Sequence, residues 1–227
     1  MDTMLTELEA ISRRHAVRKF TEKPIEPAII TELEAEIQSC NQASGLHIQL
    51  ITSDDGAFKS LLPFFSRFKN AVNYIAIVGK KQDDCYEACG YYGARLMIRA
   101  QQLGLNSCWT ASSFNRDGCH IQKAAKEEIL SVIAIGYGAS DGKPHKSKPV
   151  SKLTNAPDDV CTWFQMGLKA ALLAPTGYNR QNFFIKKLDN TTASLEATSD
   201  STLAKIDLGI VKYHFETGAV KDNFHWQ

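Results

Sequence analysis

Residues 83–103 read DDCYEACGYYGARLMIRAQQL. Two aspartates open the run, and apolar side chains then recur at Cys85, Tyr92, Leu96, Met97 and Leu103 before Gly104. This spacing predicts the longest helix of the chain, apolar on several sides and stopped by the glycine. A helix so apolar must be central or interfacial. Runs of strand character flank it. Residues 71–78, with Val72, Tyr74, Ile75 and Ile77, are too apolar for a strand wet on one face, and 130–135 form a second buried-type strand ending in Gly136-Tyr137-Gly138. Residues 47–52 alternate as a third strand.

Further out, residues 4–12 predict a short helix, followed by the basic stretch 13–19 and Phe20. Glu26-Pro27 opens a helix through about Cys40, because proline suits a first helical turn and Leu33, Ile37 and Cys40 recur at helical spacing. Asp158 or Asp159 is placed to cap a helix reaching about Leu173, after which residues 174–179 must turn. Residues 182–188 and 193–198 flank Asp189-Asn190 as an antiparallel hairpin, and a last helix over 203–217 has Gly218 as its stop. Strands mix with helices of several lengths without strict βαβ repetition. The expected class is therefore α+β, a mixed or antiparallel central sheet flanked by helices, in one domain over 1–227 with an extended basic arm at about 139–157.

Of the 227 residues 44% are hydrophobic and 22% charged, enough to bury a core without metals or disulfides. A net charge of +1 gives no global field for nucleic acid or an acidic membrane, so any anion site must be a local cluster. Six scattered cysteines without a secretory signal fit reduced thiols in a cytoplasmic protein. Cys85 and Cys89 are spaced to share a metal, yet no nearby pair completes four ligands, so no metal is expected. No apolar run approaches the roughly 18 residues of a membrane span.

Arg13, Arg14, His15, Arg18 and Lys19 place five potential donors within seven residues. A guanidinium is a planar fork matched to two phosphate oxygens, and an imidazole adds a directed donor, so the segment is either an anion site or a solvated basic face. Lys143, His145, Lys146 and Lys148 form a second cluster after a buried strand end. If the two converge, one phosphate gains a cage. The stretch 136–142, Gly-Tyr-Gly-Ala-Ser-Asp-Gly, fails as a dinucleotide fingerprint, since its third glycine is late and a Lys/Pro loop stands where a helix should begin. There is no Gly-Lys-Ser/Thr loop, Gly-x-Ser-x-Gly elbow or His-Glu-x-x-His pair, which leaves NTP, serine and zinc hydrolysis without support.

Three segments together resemble the nitroreductase family of FMN enzymes. Arg14-His15-Ala16-Val17-Arg18-Lys19-Phe20 is similar to its flavin-phosphate motif, Ala174-Pro175-Thr176-Gly177-Tyr178-Asn179-Arg180-Gln181 to its Ala-Pro-Ser turn, and Leu103-Gly104-Leu105-Asn106-Ser107-Cys108-Trp109 to its Leu-Gly-Leu-Gly segment at the ring edge. Ile133 to Tyr137 followed by Lys146-Ser147-Lys148-Pro149 is similar to the family's strand, turn and basic arm. The Ala-Pro turn lies near the C-terminus, as in a rearranged branch labelled "putative TM nitroreductases". The resemblance implies FMN held by Arg14, His15, Ala16, Arg18, Thr110, Ala111, Ser112, Lys146, Lys148, Pro175, Thr176, Asn179 and Gln181. It also implies NAD(P)H as co-substrate, ping-pong transfer to a quinone, nitro or other conjugated acceptor, and a homodimer with flavin near the subunit boundary. No side chain is expected to be catalytic, because the flavin carries the chemistry.

Departures from the pattern are Ala16 for serine, Ala111-Ser112 for Gly-Gly or Glu-Gly, and Asn182-Phe183 for Pro-Trp. Arg14 and Arg18 are each placed to meet either the phosphate or the N1/O2 side of the ring. The alternative to an enzyme is a non-catalytic flavin-binding or flavin-sequestering protein, with Tyr178 covering the reactive face; a third reading is a cofactor-free interaction protein. Cys108 is either redox-active beside flavin or a small buried neighbour of Trp109, and Trp109, Trp163 and Trp226 are expected to pack in the core or a dimer contact.

Overall fold

The computed structural model describes residues 4–59, 68–158 and 161–227. Helix α1 (Glu7–Arg13) is set by a capping box between Thr6 and Glu9. Helix α2 (Pro27–Ser44) starts on its proline and runs past Cys40 to Gly45, whose φ of 68° ends it in a left-handed turn. Then follow β1 (His47–Ile51), β2 (Tyr74–Lys80), α3 (Asp83–Gln102), β3 (Asn106–Thr110), β4 (Glu127–Gly136), α4 (Thr162–Ala171), β5 (Phe183–Lys187), β6 (Thr192–Ala197), α5 (Thr202–Ala219) and β7 (His225–Trp226). The fold is α+β, as expected.

The main sheet has the order β1-β2-β4-β3, and every neighbouring pair is antiparallel. Both its faces are covered, and side-chain alternation divides the work. Ile75 and Ile77 with Ile133 and Ile135 join the cluster that contains α3. Tyr74, Ala76, Val78 and Val132 pack with Ala57 and Phe58 on the other side. That double burial explains why β2 and β4 read as continuous apolar runs. The hairpin β5–β6 extends in parallel to β7, forming a small second sheet.

Helix α3 lies between α5 and the main sheet, and glycine sets both distances. A methyl group at Gly90 would overlap the Ile206 carbonyl of α5, and one at Gly209 would overlap the Glu87 carbonyl of α3. Gly93 gives the same clearance to the ring of Trp109. The flanks of the α3/α5 contact are tied by Lys205–Asp83 and Lys212–Glu87 ion pairs, each 2.7 Å, and by the Tyr91 hydroxyl donating to Glu216 at 2.7 Å. On its outer side α3 meets α2 through Arg95–Glu36 at 2.5 Å and Arg99–Glu32 at 2.7 Å. Among its residues only Asp83 and Asp84 are exposed, so its own chain encloses the helix. The apolar circumference of 83–103 is explained without a second subunit.

Four expectations need correction. Val72 precedes β2 and is exposed; the chain is still turning there, with the Asp54 amide donating to the Val72 carbonyl. Residues 106–110, anticipated only as a backbone segment at a ring edge, form the edge strand β3. Gly218 does not stop the last helix, which continues to Ala219; its missing side chain instead lets α5 approach the Met166 carbonyl of α4. The N-cap of α4 is Cys161, which makes no side-chain capping bond to the helix, Asp158 lies in the preceding turn, and Asp159 falls outside the described residues. Trp163 stacks on Phe224 at 5.0 Å and Trp226 donates to Glu216 at 2.8 Å, so both are packing residues.

Replacing Gly90 by alanine puts a methyl into backbone that cannot move independently. Gly90→Ala should cost about 1–3 kcal/mol or more by overpacking, despite the gain in helix propensity. Denaturant titration checks this; unchanged or raised stability would refute the close-approach reading.

Candidate functional site

The basic segment is threaded beside β3 by its backbone. The Val17 amide donates to the Ser107 carbonyl at 2.9 Å, the Lys69 amide to the Arg18 carbonyl at 2.9 Å, and the Ala139 amide to the Lys19 carbonyl at 2.9 Å. These bonds turn Arg14, His15, Ala16 and Arg18 toward one wall of a cleft of about 590 Å³. Thr110, Ala111 and Ser112, at the outgoing end of β3, line it too, as do Pro175, Thr176 and Asn179 opposite. Three distant sequence segments expected to meet therefore do meet.

Arg14 is the decisive group. It is 4% exposed, its Nε has no partner, and its guanidinium makes no ion pair among the described residues. Burial lowers its pKa to about 10, an effect that the neighbouring Cys108 thiol opposes. A buried unpaired cation is costly, and one facing a cleft is rationalised by an anion that enters from outside. His214, directly below in α5, offers no negative charge. Its Nδ1 donates to the Ile210 carbonyl at 2.8 Å, its Nε2 is buried and unpartnered, and burial together with the charge of Arg14 lowers its pKa to about 3.

Lys146, Lys148 and Gln181 are not on the cleft wall, so the expected four-cation cage is not formed. The Lys148 ammonium donates to the Gln181 carbonyl at 3.0 Å, and the Lys148 amide donates to Gln181 Oε1 at 2.8 Å. The Lys146 carbonyl accepts from Asn179 Nδ2 at 2.9 Å and from Gln181 Nε2 at 3.0 Å. These residues tie the arm to the turn. Lys143 and His145 supply the basic groups on the wall instead. In an extended arm alternate residues share a side, and that parity separates 143 and 145 from 146 and 148. His145 donates from Nε2 to the Leu172 carbonyl at 3.0 Å, and burial lowers its pKa.

The turn itself is backbone-strained. Tyr178, Asn179 and Gln181 have φ of 53°, 56° and 47°, in the left-handed region that non-glycine residues seldom occupy. Two anchors hold it. Thr176 Oγ1 accepts from the Gln181 amide at 3.0 Å, and both Asp207 oxygens accept from the Gly177 amide at 2.9 and 3.0 Å. Tyr178 is 63% exposed, and its hydroxyl lies 3.1 Å from Ser112 Oγ, linking the turn to the end of β3.

Sequence reasoning missed Asp207, which lines the cleft from α5 and is 5% exposed. Burial raises its pKa to about 7, with the Gly177 amide opposing. The available signal was an acid inside the apolar run Ile206-Asp207-Leu208-Gly209-Ile210, on one helical stripe with Val211 and His214. Cys108 is buried beside both Trp109 and the cleft; burial raises its thiol pKa while Arg18 and Arg14 pull it down. Among the described residues no group of His, Cys, Asp and Glu could hold a metal, and no helix is long and apolar enough to cross a membrane.

Residues 7–219 match the family model described as "Putative TM nitroreductase". A Thermotoga maritima structure described as a "putative nitroreductase" is similar over 98% of this chain and 87% of its own, with TM-score 0.69 and 19% identity. A Desulfovibrio desulfuricans "putative nitroreductase in complex with fmn" covers 66% of this chain and 95% of its own, at TM-score 0.50 and 18% identity. An FMN- and NADPH-dependent nitroreductase from a Sphigopyxis strain covers 65% and 97%, at TM-score 0.52 and 14% identity. At these identities the solved structures share the fold alone. No curated sequence matches the chain at a significant level.

Removing the unpaired guanidinium separates stability from binding. Arg14→Met should leave the ligand-free fold as stable as before or more so, because no partner is orphaned. It should also abolish the rise in melting temperature that phosphate gives the unmodified protein, whereas exposed Arg13→Met should change neither. A destabilised Arg14→Met that still responds to phosphate would show that Arg14 serves the core.

Proposed function

Because the chain belongs to the nitroreductase family branch matched over residues 7–219, we propose that it is an FMN-dependent oxidoreductase passing hydride equivalents from NAD(P)H to a small conjugated acceptor such as a quinone or nitro compound. The observation that carries this reading is the buried Arg14, whose Nε is without a partner among the described residues, at one end of a cleft whose other walls are the end of β3 and the 175–179 turn. An anionic tail and a flat apolar body match that layout. The similar structures that hold or depend on FMN support the same ligand.

In this reading Arg14, His15 and Arg18, joined by Lys143 and His145, hold the phosphate, and Thr110, Ala111, Ser112, Pro175, Thr176 and Asn179 border the ring. Ala16 contributes only backbone there. Lys146, Lys148 and Gln181 keep the arm and the turn in register from behind. Bound FMN supplies the two-electron chemistry; the protein orients it, exposes one face and supplies the field around it. A cleft of about 590 Å³ lies within the ordinary range for cofactor sites.

One observation favours the flavin-sequestering alternative. The Tyr178–Ser112 link crosses toward the β3 side, where an acceptor would need access. Steady-state oxidation of NAD(P)H with a quinone separates the readings: turnover supports the oxidoreductase, and tight FMN binding without turnover supports sequestration. A homodimer belongs to the same proposal and rests on the family resemblance alone, since α3 is enclosed by its own chain.

The reconstituted protein should bind FMN at least about tenfold more tightly than riboflavin, since a charged hydrogen-bond partner contributes about 1.5–3 kcal/mol. Fluorescence titration measures this, and equal affinity would remove the phosphate role of Arg14. Light scattering with and without FMN should find a dimer that loses flavin on dilution; a monomer retaining stoichiometric FMN would overturn an interfacial site.

A further inference from the structure

We propose that Asp207 is the acid of this cleft, delivering from its carboxyl the one proton that a quinone-type acceptor needs to complete its reduction. The inference rests on the oxidoreductase reading and narrows its substrate class to acceptors left with a negative oxygen after hydride arrival.

Asp207 sits among apolar side chains on the cleft wall. It lines the cleft together with Leu203, Ile206 and Ile210 of its own helix, an apolar surround for a carboxyl group. Among the described residues its only hydrogen-bond donor is the Gly177 amide, shared between both oxygens. The charged groups sharing the cleft, Arg14, His15, Arg18, Lys143 and His145, do not reach it. On α5 its neighbours are engaged elsewhere, Lys205 by Asp83, Lys212 by Glu87, and His214 by the Ile210 carbonyl. From α3, Asp83 and Glu87 are taken by those same lysines. From the turn, Arg180 lies over the Tyr178 ring.

A carboxylate held only to fix a turn would be expected to collect more donors or a cation. With one amide to share, one oxygen suffices for the Gly177 bond, and the other is free to carry a proton toward the cleft. Burial raises the pKa of this carboxyl to about 7, so both forms are populated near neutrality, which suits a general acid.

The balance is simple. A quinone accepting a hydride gains two electrons and one proton and becomes a hydroquinone monoanion. The Asp207 O–H bond then breaks, a new O–H bond forms on the anionic oxygen, and the neutral hydroquinone leaves behind a carboxylate that solvent reprotonates through the open cleft. Electrons come from NAD(P)H, the proton from solvent by way of Asp207.

The test uses Asp207→Asn, which keeps an acceptor for the Gly177 amide but carries no titratable proton. FMN titration comes first; protein that binds no FMN overturns the oxidoreductase reading itself. In FMN-loaded protein, the rate of reoxidation by a quinone should fall as pH rises through about 7, because the acid form is lost. In Asp207→Asn that alkaline limb should vanish, and the ratio of quinone to ferricyanide rates should fall by tenfold or more, since ferricyanide takes electrons without a proton. A purely positional role would leave both the limb and the ratio unchanged, and that result overturns the proposal. Infrared difference titration of the ligand-free protein gives a readout independent of turnover and of the variant's folding. A protonated-carboxyl band titrating near neutrality supports the assignment, and its absence overturns it.

Discussion

The contact between α3 and α5 is the constraint on which the rest depends. Gly90 and Gly209 face each other's backbones so closely that neither tolerates a methyl group. With the helices at that separation, Ile206, Asp207 and Ile210 reach the cleft on one side while Gly93 seats α3 under Trp109 on the other. The end of β3 and the wall of α5 are thus held at one distance by three glycines. Close packing of this kind has low compressibility and transmits strain; a shift of one helix would move Asp207 and one cleft wall together. It also explains why the longest helix of the chain carries apolar residues on several sides and exposes only Asp83 and Asp84.

Around this frame the polar groups are arranged with unusual economy. The surface of α3 toward α5 and α2 is tied by ion pairs through Lys205, Lys212, Arg95 and Arg99. Within the cleft, by contrast, Arg14 Nε is buried without a partner among the described residues, and Asp207 shares a single donor. Unsatisfied buried groups are expensive, and of those among the described residues, on Arg14, Gln101, Ser107, Tyr137 and His214, only the one on Arg14 belongs to the cleft lining. The cation and the acid are kept apart rather than paired. Paired, they would cancel; separated, Arg14 remains a cation without a counter-charge among the described residues and Asp207 a carboxyl whose pKa burial raises to about 7.

Much of this was legible beforehand. The 83–103 helix, the buried strands and the 182–198 hairpin were read from periodicity and turn chemistry, and Arg14, Thr110 and Thr176 were correctly brought to one cleft by motif resemblance. What escaped did so for identifiable reasons. β3 is short and carries Asn106 and Ser107, so it has little strand signature of its own and exists because β4 pairs with it. Gly218 looked like a helix stop because local sequence does not distinguish a left-handed terminus from a close helix crossing. Lys146 and Lys148 were favoured over Lys143 and His145 because the family resemblance runs through Lys146-Ser147-Lys148-Pro149, whereas only the arm's path decides which side faces the cleft. Asp207 was hidden inside a helix whose apolar stripe looked like core.

The 176–181 turn joins these strands of argument. Three non-glycine residues in left-handed conformations would not persist in a free loop. They are held by Asp207 from inside, by the Lys146 carbonyl and the Lys148 amide and ammonium from the arm, and by Ser112 from the end of β3. Each of those elements also borders or backs the cleft, so the strained turn is where the geometry of α5, the basic arm and β3 is compared. A ligand that altered any one of them would be felt at Tyr178, the most exposed aromatic of the rim. The turn therefore joins the arm that carries the basic groups of the cleft to Asp207 on α5 through hydrogen bonds on both sides.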